Sequence, residues 1–127
     1  MPRRLPRILI LGATAPPSPG LKALETAGRY LFEYLPDPPR VSAAGPAADA
    51  VLLPLPPEKA SALEGLGWIE TFKDRAPVVV LSAVADMNLY LSAMTAGAFD
   101  FLTQATAGEE LTRVLDNAVR WRWRRAA

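Results

Sequence analysis

The side chains that most often carry polar chemistry are sparse in this sequence, and two kinds are missing. No histidine and no cysteine occurs among its 127 residues. Imidazole, the commonest general base and metal ligand, is therefore unavailable, as are thiolate nucleophiles, thiolate metal sites and disulfides. Catalytic triads are closed to the chain acting alone. What remains is a hydroxyl at Ser82, directly after Val78-Val79-Val80-Leu81, and Gly12, directly after Ile8-Leu9-Ile10-Leu11. A serine ending a strand commonly bonds local backbone. A glycine ending a strand can let a phosphate approach main-chain amides. The tail Trp121-Arg122-Trp123-Arg124-Arg125 has the types that pair with phosphates and stack on bases. The preferred reading is plainer: a tryptophan packs at a helix end and the arginines offset the negative pole of the helix dipole.

Charge separates the ends from the body. The formal net charge is +1, but Arg3, Arg4 and Arg7 open the chain and Arg120, Arg122, Arg124 and Arg125 close it. Without those seven, seven basic residues face 13 acidic ones, leaving a body near −6. An acidic body argues against a broad nucleic-acid surface, so direct nucleic-acid binding is not expected. Half the residues are apolar, enough for one core. The length suits a single domain over 1–127, with its core at about 7–119 and a basic end at 120–127. No run of about 18 apolar residues exists, so no membrane span is expected. Ile8 to Leu11 is too short for a signal peptide, and a cytoplasmic protein without a membrane partner is the expectation.

The elements that must position these groups are organised around Val78 to Thr103. Val78 to Leu81 reads as a strand buried on both faces. Asp86 caps a helix with Leu89, Ala93 and Ala96 at helical spacing, Gly97 stops it, and Ala98 to Leu102 is a second apolar run. Strand, helix and strand with short links imply parallel pairing. Before this unit, Arg7 to Leu11 reads as a strand and Pro19 to Ala27 as a helix with Leu21 and Leu24 inward and Gly28 as its stop. Tyr30 to Leu35 alternates as a strand, with a continuous helix over 19–35 as the competing reading. One short helix is expected around Arg40 to Ala44, and Ala50 to Leu55 is a third buried strand. A helix within 58–75 carries Leu66, Ile69 and Phe72, and Gly65 and Gly67 make it start late or break. Thr106-Ala107-Gly108-Glu109 is a capping box for a last helix burying Leu111, Val114, Leu115, Ala118 and Val119. The fold class expected is α/β, a flavodoxin-like, doubly wound, five-stranded parallel sheet in three αβα layers.

This element order, with D-A-V-L-L-P-L-P at 49–56, P-V-V-V-L-S-A at 77–83 and A-G-A-F-D-F-L-T at 96–103, resembles the CheY-like receiver domain of two-component response regulators from Arg7 to about Arg122. The resemblance implies a metal-binding acidic pair after the first strand and a phosphoacceptor aspartate ending the third. It further implies a hydroxyl after the fourth strand, and a lysine after the fifth. Carried over, the acidic pair falls on Gly12 and Ala13, the phosphoacceptor on Pro54 and the lysine on Gln104, followed by Ala105. Only Ser82 and the switch-aromatic position, Phe101, match. Mg²⁺ needs hard oxygen ligands, and Pro54 has no nucleophile. The expectation is a degenerate pseudo-receiver without catalysis, cofactor or metal, acting in signal transduction or transcriptional regulation through a protein partner or fused output domain.

Receivers usually associate through their fourth helix, fifth strand and fifth helix, which implies a candidate homodimer face here with Tyr90, Met94, Arg120 and Arg122. Asp86, Asp100 and Asp116 are expected to meet arginines of a two-fold partner. The alternative is a nucleotide-binding Rossmann-type domain or fragment. I-L-I-L-G-A-T resembles its opening strand, with Asp37 near the ribose-binding position. Ala15 and Ser18 replace its later glycines, however, and Pro16 and Pro17 remove amide donors.

Overall fold

The structure, a computed structural model, describes residues 5–12, 17–35, 48–106 and 108–126. Five aliphatic runs form strands: β1 (Arg7–Leu11), β2 (Leu31–Leu35), β3 (Ala50–Leu55), β4 (Val78–Ser82) and β5 (Asp100–Thr103). All pair in parallel, in the order β2-β1-β3-β4-β5. That is the flavodoxin-like order, as the sequence pattern requires, and it differs from the 3-2-1-4-5-6 order of the dinucleotide-binding fold.

Alternation along each strand sends side chains to two cores. Leu9, Val51, Leu53, Val78 and Val80 meet Ala62, Ile69, Phe72, Leu89 and Ala93 on one face. These come from α2 (Lys59–Gly65), α3 (Gly67–Phe72) and α4 (Met87–Ala96). On the other face Ile8, Ile10, Leu52 and Val79 meet Leu21, Leu24, Leu111, Leu115 and Ala118, from α1 (Pro19–Ala27) and α5 (Gly108–Ala126). Every residue of β4 is buried, as is all of β3 except Pro54. Hence neither strand alternates with polar residues.

Local chemistry sets the helix ends. Ser18 Oγ accepts the Leu21 amide at 3.2 Å, and Pro19 opens α1 where no intrahelical N–H is needed. Asp86 Oδ1 accepts the Leu89 amide at 3.0 Å and starts α4. Gly97, at φ 109°, ends it in the left-handed conformation that disfavours a side chain. The helical stretch after β3 takes the broken form: α2 ends at Gly65, and Leu66 links it to α3. The second strand begins at Leu31, one residue later than the sequence pattern suggests, and the fifth occupies Asp100–Thr103 rather than 98–102. The short helix expected around 40–44 lies outside the described residues.

The amino-terminal edge of the sheet is closed by a buried carboxylate that the sequence reading assigned no role. Asp49, 3% exposed, accepts the Arg7 amide at Oδ2 and the Trp123 indole N–H at Oδ1, both at 2.8 Å. Its own amide donates to the Arg7 carbonyl, also at 2.8 Å. One side chain thus joins the starts of β1 and β3 to the end of α5. Asp49→Ala strands both donors, each costing about 1–3 kcal/mol if left unmade, so urea unfolding should show a loss of that order per donor. Asp49→Asn retains an acceptor and should cost less. An Asp49→Ala protein as stable as the parent would remove this clasp from the account.

Candidate functional site

The carboxyl edge of the sheet is where a three-layer α/β fold exposes strand ends to a ligand, and three of the sequence-derived positions meet there. Pro54 lies opposite Leu81 and Leu55 opposite Ser82, while Ser82 lies opposite Thr103. The Gln104 amide donates to the Ser82 carbonyl at 2.8 Å. Gly12, at φ 70°, follows β1, but its amide turns to β2 and donates to the Leu35 carbonyl at 2.6 Å. Ala13 lies outside the described residues.

Proline is unusual inside a sheet because it cannot donate to the ladder. Register explains its place here. The Val51 amide donates to the Pro77 carbonyl, on the β4 side. By the two-residue alternation of a strand, the nitrogen of Pro54 points towards β1. Pairing of β1 with β3 stops at Ile10 and Leu52, so no ladder bond is forfeited at residue 54.

Ser82 is fully buried, and its hydroxyl is committed to local backbone. Oγ donates to the Val84 carbonyl at 2.7 Å and accepts the Val84 amide at 3.2 Å. Gln104 lines a cleft of about 330 Å³ against Pro19, Gly20 and Ala23 of α1, away from Ser82's hydroxyl turn. The edge therefore offers an amide side chain and a tied hydroxyl. Among the described residues, no three carboxylates gather as a metal site would require.

No protein-family model matches the chain, and no curated protein does. Solved structures share its fold. A CheY-like response regulator receiver domain protein from Methanospirillum hungatei JF-1 is 17% identical, at a TM-score of 0.70, over 96% of this chain and 99% of its own. The signal receiver domain of an HD domain-containing protein from Pseudomonas fluorescens Pf-5 is 19% identical, also at 0.70, over 94% and 98%. A response regulator from Burkholderia pseudomallei, solved with a phosphorylated aspartic acid, a calcium ion and citrate, is 16% identical at 0.63, over 96% and 73%. The fold is that of receiver domains.

On this fold the side of α4 and β5 carries an apolar surface. Tyr90 meets Phe101 edge-on, with ring centroids 5.6 Å apart and planes at 90°. Met94 and Phe101 pack in part against the core beneath. Beyond these positions stand Met87, 69% exposed, Leu91, 54% exposed, and Val84 in the preceding loop. The sequence reading passed over these three. Their signal was available: the ten residues M-N-L-Y-L-S-A-M-T-A of α4 contain no ionisable group, whereas a solvated helix face normally carries charge.

Of the arginines assigned to this surface, Arg120 is exposed. Arg120 sits one turn beyond Asp116, and its charge reaches the Tyr30 phenol on the α1 side. Arg122 is half-buried with its Nε enclosed. On α5 Arg113 pairs with Glu110, and Trp121 faces the start of β5, 6.1 Å from Phe99 between ring centroids. The three aspartates also have partners within the chain. Asp86 caps α4, and Asp100 Oδ1 accepts the Phe101 amide at 2.7 Å. Asp116 binds Arg29 at 3.2 Å and the Tyr30 hydroxyl. Burial pushes the Tyr30 phenol's pKa upward, and the hydrogen bond to Asp116 adds to the rise. Ser82→Ala should cost about 1–2 kcal/mol, because the buried turn loses both the donor and the acceptor that hold Val84. Thermal melting measures this, and Ser82→Thr should recover part of the loss. No loss in the alanine variant would show that Ser82 does not fix the turn.

Proposed function

We propose that this chain is a receiver-like signalling module that works by contact with a protein partner or fused output domain, without aspartyl phosphorylation. One observation carries the reading: the strand ends that would form a phosphoacceptor pocket present Gly12, Pro54, Ser82 and Gln104, none of them a carboxylate or an amine. Pro54 has no nucleophilic atom, and a divalent cation would find no hard anionic oxygen at Gly12. The hydroxyl of Ser82 is already bonded to its own loop. No catalytic role is assigned. This reading also favours an atypical response-regulator module over a nucleotide-binding one, since the Gly12 amide is spent on β2.

The surface proposed for the partner is the α4–β5 side, where Tyr90, Met94 and Phe101 are continuous with Met87 and Leu91. Aromatic residues and methionine are enriched in protein interfaces. Such an interface needs at least about 1,000 Å² of total buried surface, more than these side chains supply alone, so the partner must extend onto α5. A homodimer through this side is one form of the contact.

Incubation with acetyl phosphate and Mg²⁺ should leave the intact mass unchanged. A stoichiometric adduct labile to hydroxylamine would overturn the reading. Pro54→Asp should fold, since the added amide faces β1 beyond the level at which β1 and β3 pair, yet remain unphosphorylated because the metal ligands and lysine are still absent. Leu91→Glu and Tyr90→Ala should each weaken partner binding, or self-association in concentration-dependent sedimentation, by about ten-fold or more. Unchanged association in both would exclude this surface.

A further inference from the structure

Arg7 and the arginine-rich last turns of α5, more than a hundred residues apart in sequence, are drawn to one end of the fold. The Asp49 carboxylate holds the Arg7 amide and the Trp123 indole together, so the last turns of α5 stand beside the starts of β1, β2 and β3. Arg7, Arg29, Arg120, Arg122 and Arg124 lie around this end, opposite the degenerate pocket. Glu33 offsets Arg7 at 3.6 Å, and Asp116 offsets Arg29 at 3.2 Å. Arg120, Arg122 and Arg124 have no ion-pair partner among the described residues. At the other end of α5, Glu109 and Glu110 occupy the first turn, so the helix runs from an acidic to a basic pole.

Large apolar side chains interrupt this basic end. Leu31 is 51% exposed and Leu5 40%. They lie close together, since the Leu31 amide donates to the Pro6 carbonyl at 2.8 Å. Trp121, also exposed, stands near the start of β5 beside Phe99. From β2 to β5 is four interstrand steps, about 19 Å at the usual strand spacing. The apolar side chains thus mark both flanks of this end.

We propose that this end docks on an anionic lipid surface. Arginines among leucine and tryptophan suit the headgroup boundary, where the charges meet acidic lipids and the apolar tips enter the interface. A nucleic-acid backbone would satisfy the arginines and stack on tryptophan, but it gives Leu5 and Leu31 nothing. The docking is peripheral: among the described residues, no helix is long and apolar enough to cross a membrane. The surface is separate from the α4–β5 side, and the inference does not depend on the reading of that side.

Co-sedimentation with vesicles tests it, using phosphatidylcholine alone or mixed with phosphatidylglycerol at low salt. The mixed vesicles should capture the protein and the neutral ones should not, and added salt should release it. Arg120→Ala and Arg124→Ala, both at exposed positions, should each weaken capture about five-fold, and Leu31→Ser should weaken it without altering the thermal melt. Failure of the mixed vesicles to capture the protein overturns the proposal, as does equal capture by neutral vesicles. So does duplex DNA binding that depends on Arg120 and Arg124 but is indifferent to Leu31→Ser, which would assign the end to nucleic acid.

Discussion

The double-sided burial of β3 and β4 is the constraint on which the other features rest. Helices cover both faces of these strands, so every residue between Ala50 and Ser82 that lies in them, apart from Pro54, is withdrawn from water. A strand in that position has to be aliphatic throughout, and its polar backbone has to be paired on both sides. Only the loops beyond its carboxyl end reach solvent, which confines any chemistry to the strand termini and the loops that follow them. In this chain those termini hold a proline and a serine. The proline is compatible because β1 has already left β3 at that level. The serine is compatible because its hydroxyl turns back on Val84.

The same geometry governs the opposite edge. Parallel strands start together, and α5 must return along the sheet to cover them, so its last turns arrive where β1 and β3 begin. Asp49 is the group that makes this arrival polar and specific. Its carboxylate would be costly to bury alone, and it is acceptable because a main-chain amide and an indole N–H both reach it. A consequence is that Arg7 and the arginines of the last turns of α5 share one pole while the acidic first turn of α5 lies at the other. The small net charge of the sequence conceals this polarity.

α4 shows how little of a short helix a sheet can bury. Leu89 and Ala93 are its buried residues, and the Tyr90 ring is held edge-on against Phe101. Asp86 and Gly97 give the helix its ends, so its formation does not depend on an amphipathic charge pattern. That leaves Met87 and Leu91 outward with no ionisable neighbour on the helix. Single exposed apolar residues are common. An apolar set on a helix without ionisable residues, beside β5, is the feature that carries the partner-binding reading.

The sequence by itself determined the elements and their class. Aliphatic runs at 7–11, 50–55 and 78–81, the cap at Asp86, the stops at Gly28 and Gly97 and the stripe from Leu111 to Val119 act through local periodicity and capping, which need no distant partner. The mismatch at Gly12, Pro54 and Gln104 was legible for a related reason, since a missing carboxylate is a property of residue type. Tertiary structure alone decided which way side chains turn. Arg120 and Arg122 were placed beside Tyr90 by the receiver resemblance alone, and only the fold shows that the Arg120 charge reaches the Tyr30 phenol and that the Nε of Arg122 is enclosed. Asp49 read as an unremarkable acid before a strand, because its partners, Arg7 and Trp123, are 42 and 74 residues away. Pairing across such separations follows from sheet register and helix return, which no local pattern encodes.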